Sequence, residues 1–148
     1  MLLYNMTGGA ITIIDPATCR FDAAIRKHVV CDGEPAIIAE IPSDGMLEAK
    51  IGTVADGEFG GIPVFVERVT GCDPLPCDML PDDDNTSVSF LVSTQYASAY
   101  REMYGIPDEL FFTVADPVYS SDGKTVIGYT GIREAYPVKM DEWGYRLA

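Results

Sequence analysis

Basic residues are scarce in this chain. It has 10 Lys and Arg against 23 Asp and Glu, which gives a formal net charge of −13. Nucleic acids and anionic membranes are bound largely through Lys and Arg, so direct binding to either is not expected. An anionic small molecule needs a local group of donors that opposes the charge of the whole molecule. The simplest reason for the acidity is solubility in a crowded cell.

Long apolar runs are also missing. No stretch approaches the roughly 18 apolar residues of a membrane-spanning helix, and the apolar start Met1–Asn5 is too short for a signal peptide. We therefore expect a cytoplasmic protein without membrane contact.

Histidine is nearly absent, which limits enzymatic chemistry. His28 is the only histidine, so a catalytic triad or a histidine-based metal site has one candidate at most. Walker, Rossmann and nucleophile-elbow patterns are missing. We expect no catalytic residue, no metal and no cofactor, hence a protein that is not an enzyme. Because carboxylate pairs meet only in the folded protein, a small hydrolase stays an alternative.

The cysteines are few and mostly far apart. Of the four, only Cys72 and Cys77 are close in sequence, and their spacing is a poor zinc signature. Reduced thiols are the default in a reducing compartment. Whether Cys72 and Cys77 form a redox-labile bridge is left open.

What is present is a globular pattern rich in strands. The length of 148 residues suits a single domain over 1–148. Alternating apolar residues predict a hairpin over 47–69, Pro35–Ile41 suggests a buried strand, and Phe21–His28 has helical spacing. We predict an α+β fold, a mostly antiparallel β-sheet with one principal helix at about 94–104.

A long loop interrupts this pattern. Residues 70–86 are rich in proline and acidic residues, including the run Asp82–Asp84, and offer only Leu75, Met79 and Leu80 for burial. Such a loop usually has a function or is mobile. We expect it at the surface.

The most informative stretch is Ser87–Gly105, where a buried strand runs into a capped helix. The helix start offers unpaired backbone N–H groups and a positive dipole end, both suited to a phosphate. Arginine matches phosphate geometry, and tyrosines can stack on a base. The predicted ligand contacts here are Ser93, Thr94, Gln95, Tyr96, Arg101 and Arg133. Capping or packing alone also explains these residue types, and whether Arg68 or Arg133 contacts a ligand is left open.

Several short segments resemble a group of small phage and bacterial proteins that open with an Asn-Leu-Thr-Pro-His sequence. The segments are Asn5-Met6-Thr7 before Ile11–Ile14, Ile41–Gly45, Gly61–Val64, Leu91–Ser93 with Ala97 and Ala99, and Gly131–Arg133. Gly8-Gly9 replaces the Pro-His pair, so the chain lacks that histidine. The group has no settled activity, and the resemblance implies a phage setting. Asn5 and Thr7 are also predicted to contact the ligand.

The functional hypothesis combines these points. The chain is similar to phage proteins that capture cyclic-nucleotide immune signals, which implies a cytoplasmic anti-defence protein in the host cell. It would sequester a small nucleotide without changing it, at the interface of a homo-oligomer. The alternative is an acidic protein–protein inhibitor that mimics nucleic acid and blocks a host defence complex. Ligand identity, oligomer number and host are not determined by the sequence.

Overall fold

The computed structural model describes residues 2–31, 35–82 and 86–136. Strands make up 53% and helix 13%, and the α+β class predicted from the sequence is confirmed. The elements in these ranges are β1 (Leu2–Asn5), β2 (Ile11–Ile14), β3 (Cys19–Asp22), β4 (Lys27–Val30), β5 (Ile37–Ile41), β6 (Ala49–Phe59), β7 (Ile62–Cys72), β8 (Val88–Leu91), α1 (Thr94–Tyr104), β9 (Leu110–Tyr119) and β10 (Val126–Glu134).

The main sheet is mixed. Its strand order is β1-β8-β9-β10-β2-β5, and β4 joins the far end of β9 and carries β3 on its other side. The pairs β9–β10, β2–β5 and β3–β4 are antiparallel, whereas β1–β8, β8–β9 and β2–β10 are parallel. β9 therefore spans the sheet, with α1 near its start and the β3–β4 hairpin at its end.

The predicted hairpin is a separate two-stranded sheet formed by β6 and β7. Gly60 and Gly61 form its turn with φ of 58° and 83°. Two successive positive φ values are typical of a turn that matches the twist of a hairpin, and glycine adopts them without strain. This explains why the local sequence predicted the hairpin correctly.

The helix α1 covers one end of the main sheet. It begins after Ser93 and ends at Gly105, which has a φ of 84°. Its buried residues Tyr96 and Ala97 pack with Phe90 and Phe111 in the main core. Met103, in the last turn of the helix, is 46% exposed. Gly105 ends the helix as predicted, because only glycine adopts its conformation cheaply.

Two sequence-based expectations about local structure are wrong. Phe21–His28 is not a helix but the hairpin of β3 and β4, because β4 pairs with β9 at His28–Val118 and this long-range contact outweighs local spacing. The segment Pro35–Ile41 contains β5, but Ile37 and Ile38 are 54% and 61% exposed. β5 is a sheet edge, where apolar side chains are not fully covered.

The predicted loop is shorter than expected because β7 continues to Cys72. Leu75, Met79 and Leu80 pack against the main core, as their apolar character predicted. Of the acidic run, Asp82 is exposed, and Asp83 and Asp84 lie outside the described residues. All four cysteines are free thiols. Within the described ranges, no helix has the length and apolar character needed to cross a membrane.

Candidate functional site

The site predicted from the sequence is centred on the start of α1. β8 is buried along its whole length and delivers the chain to Ser93. The Ser93 hydroxyl accepts a hydrogen bond from the Tyr96 N–H at 3.0 Å, and its carbonyl accepts one from the Ala97 N–H at 3.0 Å. Ser93 is thus the helix cap, as predicted. The N–H groups of Thr94 and Gln95 come before the first intrahelical bond and are left without a helical partner.

An open groove of about 380 Å³ lies between α1 and the β6–β7 hairpin. We call it the helix–hairpin groove; its polar lining is Glu67, Arg68, Thr94, Gln95, Ser98 and Glu102. Thr94, Ser98 and Glu102 are spaced four residues apart, so they share one side of the helix. The groove therefore combines helix-start donors with one arginine and two carboxylates.

Arg68 is the cation of this groove. Its side chain is 60% exposed, and its nearest carboxylate oxygen is Asp56 Oδ1 at 4.0 Å. An ion pair that long and exposed contributes about 0–1 kcal/mol. Arg68 can therefore exchange Asp56 for an anionic ligand at little cost.

A second, smaller groove of about 320 Å³ lies on the other side of the helix start. Ser93 and Gln95 line it together with Glu48. Gln95 borders both grooves. Among the described residues that line the two grooves, Gln95 is the one they share.

The two other predicted arginines lie elsewhere. Arg101 is placed with its guanidinium 5.9 Å from the Tyr136 ring centre, about 10 Å along the helix axis from Thr94. Arg133, on β10, bonds Asp116 Oδ1 at 3.0 Å. Neither lines the helix–hairpin groove.

Tyr96 belongs to the core. Its side chain is 0% exposed, and its hydroxyl donates to the Asp73 carbonyl at 2.7 Å. Burial raises the pKa of Tyr96, with smaller contributions from nearby acidic groups, Cys72 first among them. Its ring has no open face on which a base can stack.

Asn5 and Thr7 form a hydrogen-bonded corner at the end of β1, where Asn5 pairs with Leu91 of β8. The Asn5 side-chain amide donates to the carbonyls of Gly9 and Ile41, at 2.9 and 3.1 Å. Its carbonyl oxygen accepts from the Thr7 N–H and hydroxyl, at 3.1 and 2.6 Å. The structure thus gives both residues a structural role.

Sequence reasoning missed Ser98, Glu67 and Glu102 as neighbours of the predicted site. Ser98 had a usable signal, because it lies four residues after Thr94 and so on the same helix face. The two glutamates had none, since their positions depend on how the hairpin packs against α1. They lower the positive potential that the helix start provides.

No metal centre accompanies this groove: in the part of the chain that the structure describes, no group of three or more His, Cys, Asp or Glu side chains is placed to hold an ion. The geometry is that of an open polar groove with directed donors. Comparison with protein-family models, with curated proteins and with solved structures finds no match to this chain.

Proposed function

We propose that the chain is a non-enzymatic, phage-type protein that captures a small phosphate-bearing nucleotide signal and holds it unchanged, thereby evading host defence. The observation that supports it most directly is the start of α1, where Thr94 and Gln95, whose backbone N–H groups have no helical partner, line the same groove as Arg68. Helix starts of this kind bind phosphate through backbone donors and the helix dipole. The resemblance described above supports the phage setting.

The charges of the helix–hairpin groove limit how much negative charge a ligand can carry there. An arginine–phosphate hydrogen bond contributes about 1.5–3 kcal/mol and an exposed helix start about 0.3–1 kcal/mol. Each carboxylate within about 4 Å of a phosphate charge costs about 1 kcal/mol in water. Glu67 and Glu102 thus oppose each added negative charge, so the groove favours a ligand with one phosphate charge, such as a cyclic nucleotide, over a triphosphate.

The test compares two arginines that change the net charge equally. Arg68→Ala should weaken binding of cyclic AMP by about tenfold or more, since one charge-assisted hydrogen bond is lost. Arg101→Ala is the matched control and should leave the affinity nearly unchanged. Calorimetry measures both, and ATP should bind more weakly than cyclic AMP.

Three results would contradict this proposal. Equal weakening by both variants would show that only general charge matters. Recovery of cleaved nucleotide, checked by mass spectrometry, would make the protein an enzyme. Binding that Arg101→Ala alone abolishes would place the ligand near the C-terminal end of α1, about two turns from Thr94.

A second candidate, an acidic protein–protein inhibitor, has one observation in its favour. The β6–β7 hairpin exposes Phe59, Ile62 and Phe65, at 78%, 65% and 62%, next to Asp56 and Glu58. Exposed apolar side chains within a polar rim are typical of protein contacts. Absence of binding to any nucleotide, with salt-sensitive binding to a basic host protein, would favour this candidate.

A further inference from the structure

The few cations of this acidic protein are unevenly placed. Four of the ten Lys and Arg residues lie on the β3–β4 hairpin or in the turn between β9 and β10. They are Arg20, Arg26, Lys27 and Lys124. The only histidine, His28, lies there as well. This part of the molecule is thus richer in cations than the rest of the chain.

A groove of about 410 Å³ opens between β4 and the end of β9. We call it the basic groove; it is lined by Phe21, Arg26, Lys27, His28, Asp116 and Tyr119, among others. The β9 residues that line the basic groove, Asp116, Pro117 and Tyr119, lie about 17–26 Å along the strand from Phe111 in the core beneath α1. The basic groove is separate from the helix–hairpin groove.

Two cations of the basic groove have no acidic partner. Among the residues that the structure describes, no carboxylate forms an ion pair with Arg26 or Lys27. The Lys27 ammonium lies 4.3 Å from the centre of the Tyr119 ring and donates to the Gly123 carbonyl at 3.2 Å. Arg26 is exposed, so its planar, five-donor guanidinium is open to an anion.

Aromatic rings stand beside these cations. Phe21 is 57% exposed, and its ring lies edge-on to His28 with centres 5.2 Å apart. An aromatic ring that is more than half exposed next to an arginine offers a planar ligand a stacking surface. Burying Phe21 in the core would have been the usual outcome for this residue type.

The backbone is strained on both sides of the groove. Arg26 and Asp116 are the non-glycine residues with positive φ in the described ranges, at 54° and 44°, and both line this groove. Such conformations cost of order 1–3 kcal/mol and cluster at ligand sites. Asp116 is held by Arg133 at 3.0 Å and Thr130 at 3.4 Å, so its carboxylate is fixed at the rim.

We propose that the basic groove binds a nucleoside monophosphate, with the phosphate on Arg26 and Lys27 and the base stacked on Phe21. A monophosphate carries about −1.5 to −2 charge at neutral pH. Arg26 and Lys27 match this charge, because Asp116, which also lines the groove, is paired with Arg133. The helix–hairpin groove has two carboxylates beside its one arginine and opposes it. The volume of the basic groove fits one small ligand. This site goes beyond the proposed function, because it needs neither α1 nor Arg68.

The test measures binding of AMP to the full chain. Inorganic phosphate and adenosine, the two parts of AMP, are measured separately for comparison. We expect AMP to bind more tightly than either part, and the amide resonances of β3 and β4 to shift. Arg26→Gly should weaken AMP binding by at least about tenfold. Since glycine relieves the positive φ, the thermal midpoint should not fall.

The matched control is Arg20→Ala. Arg20 pairs with Asp22 at 3.8 Å and points to the opposite side of β3 from Phe21, so the net charge changes equally while AMP affinity is maintained. Phe21→Leu should remove the preference for AMP over phosphate. Equal weakening by Arg26→Gly and Arg20→Ala, or AMP-induced shifts at α1 alone, would overturn the proposal. If Phe21→Leu keeps the preference for AMP over phosphate, the base does not stack on Phe21.

Discussion

Asn5 shows how one residue connects distant parts of this chain. It is 0% exposed, its N–H bonds Asp44 Oδ2 at 2.9 Å, and its carbonyl accepts from the Asp44 N–H at 2.8 Å. With the amide bonds to Gly9 and Ile41, it joins the end of β1 to the segment after β5. Loss of this side chain removes four partly buried hydrogen bonds, to Gly9, Ile41 and Thr7.

We therefore expect Asn5→Ala to lower the free energy of unfolding by about 2–3 kcal/mol, since a buried side chain loses several hydrogen bonds at once. Denaturant unfolding measures this. Thr7→Val is the control, because it removes one hydroxyl of the same corner and should cost about 1 kcal/mol. If Asn5→Ala unfolds at the same denaturant concentration as the parent protein, the structural role of Asn5 is contradicted.

At this scale the sequence predicted local chemistry well and distant neighbours poorly. Ser93 was recognisable as a cap because its partner, Tyr96, is three residues away. Arg101 was assigned to the site because it shares the helix with Thr94, but its neighbour is Tyr136. The grouping of Arg26, Lys27 and Phe21 with Tyr119 depends on β4 pairing with β9, which no local pattern encodes.

Among the elements, the β6–β7 hairpin depends on its turn. An added Cβ at Gly61 meets no atom within 4 Å, so its φ of 83° is the sole obstacle to a side chain. Gly61→Ala should cost about 1–2 kcal/mol. Hydrogen exchange of the β6 and β7 amides measures the loss locally.

Gly9→Ala is the matched control for the turn. Gly9 also has open space around it and no positive φ, so the change should have little effect. Equal exchange rates in Gly61→Ala and the parent protein would show that strand pairing, and not the turn, determines hairpin stability.

Elements that are formed by local interactions were predicted correctly from the sequence, and the β3–β4 hairpin, which depends on a distant strand, was not. α1 and the β6–β7 hairpin carry their own cap and turn, and both were predicted correctly. The β3–β4 hairpin was missed because Phe21, Ala24, Ile25 and His28 fit helical spacing. The turn there is made instead by Asp22, whose carboxylate accepts from the Ala24 N–H at 3.0 Å.

For the whole molecule, buried tyrosines set the alkaline limit of stability. Burial raises the pKa of Tyr96 and Tyr100 above the ordinary value of 10.0 and raises the pKa of Tyr136 to about 12. Above pH 10 the unfolded chain loses these protons first, so stability should fall as pH rises from 10 towards 12. Below pH 10 these groups should have no effect.

Alkaline titration followed by circular dichroism and by tyrosinate absorbance tests this. Unfolding and the ionisation of the buried tyrosines should coincide. Tyr136→Phe removes one ionisable group, and also the hydrogen bond of its hydroxyl to the Ala97 carbonyl. Its stability should be lower at neutral pH but decline less between pH 10 and 12. Tyrosine ionisation completed before unfolding would contradict the prediction.

The parallel pairs of the sheet also determine when this protein can be assembled during synthesis. The partner of Leu2 in β1 is Val88, and the partner of Ile13 in β2 is Tyr129. At about 5–20 residues per second, the ribosome delivers β8 and β10 many seconds after β1 and β2. The apolar residues of β1 therefore wait without a strand partner, whereas β2 can pair with β5 while it waits for β10. Chaperones that bind nascent chains have that interval in which to act.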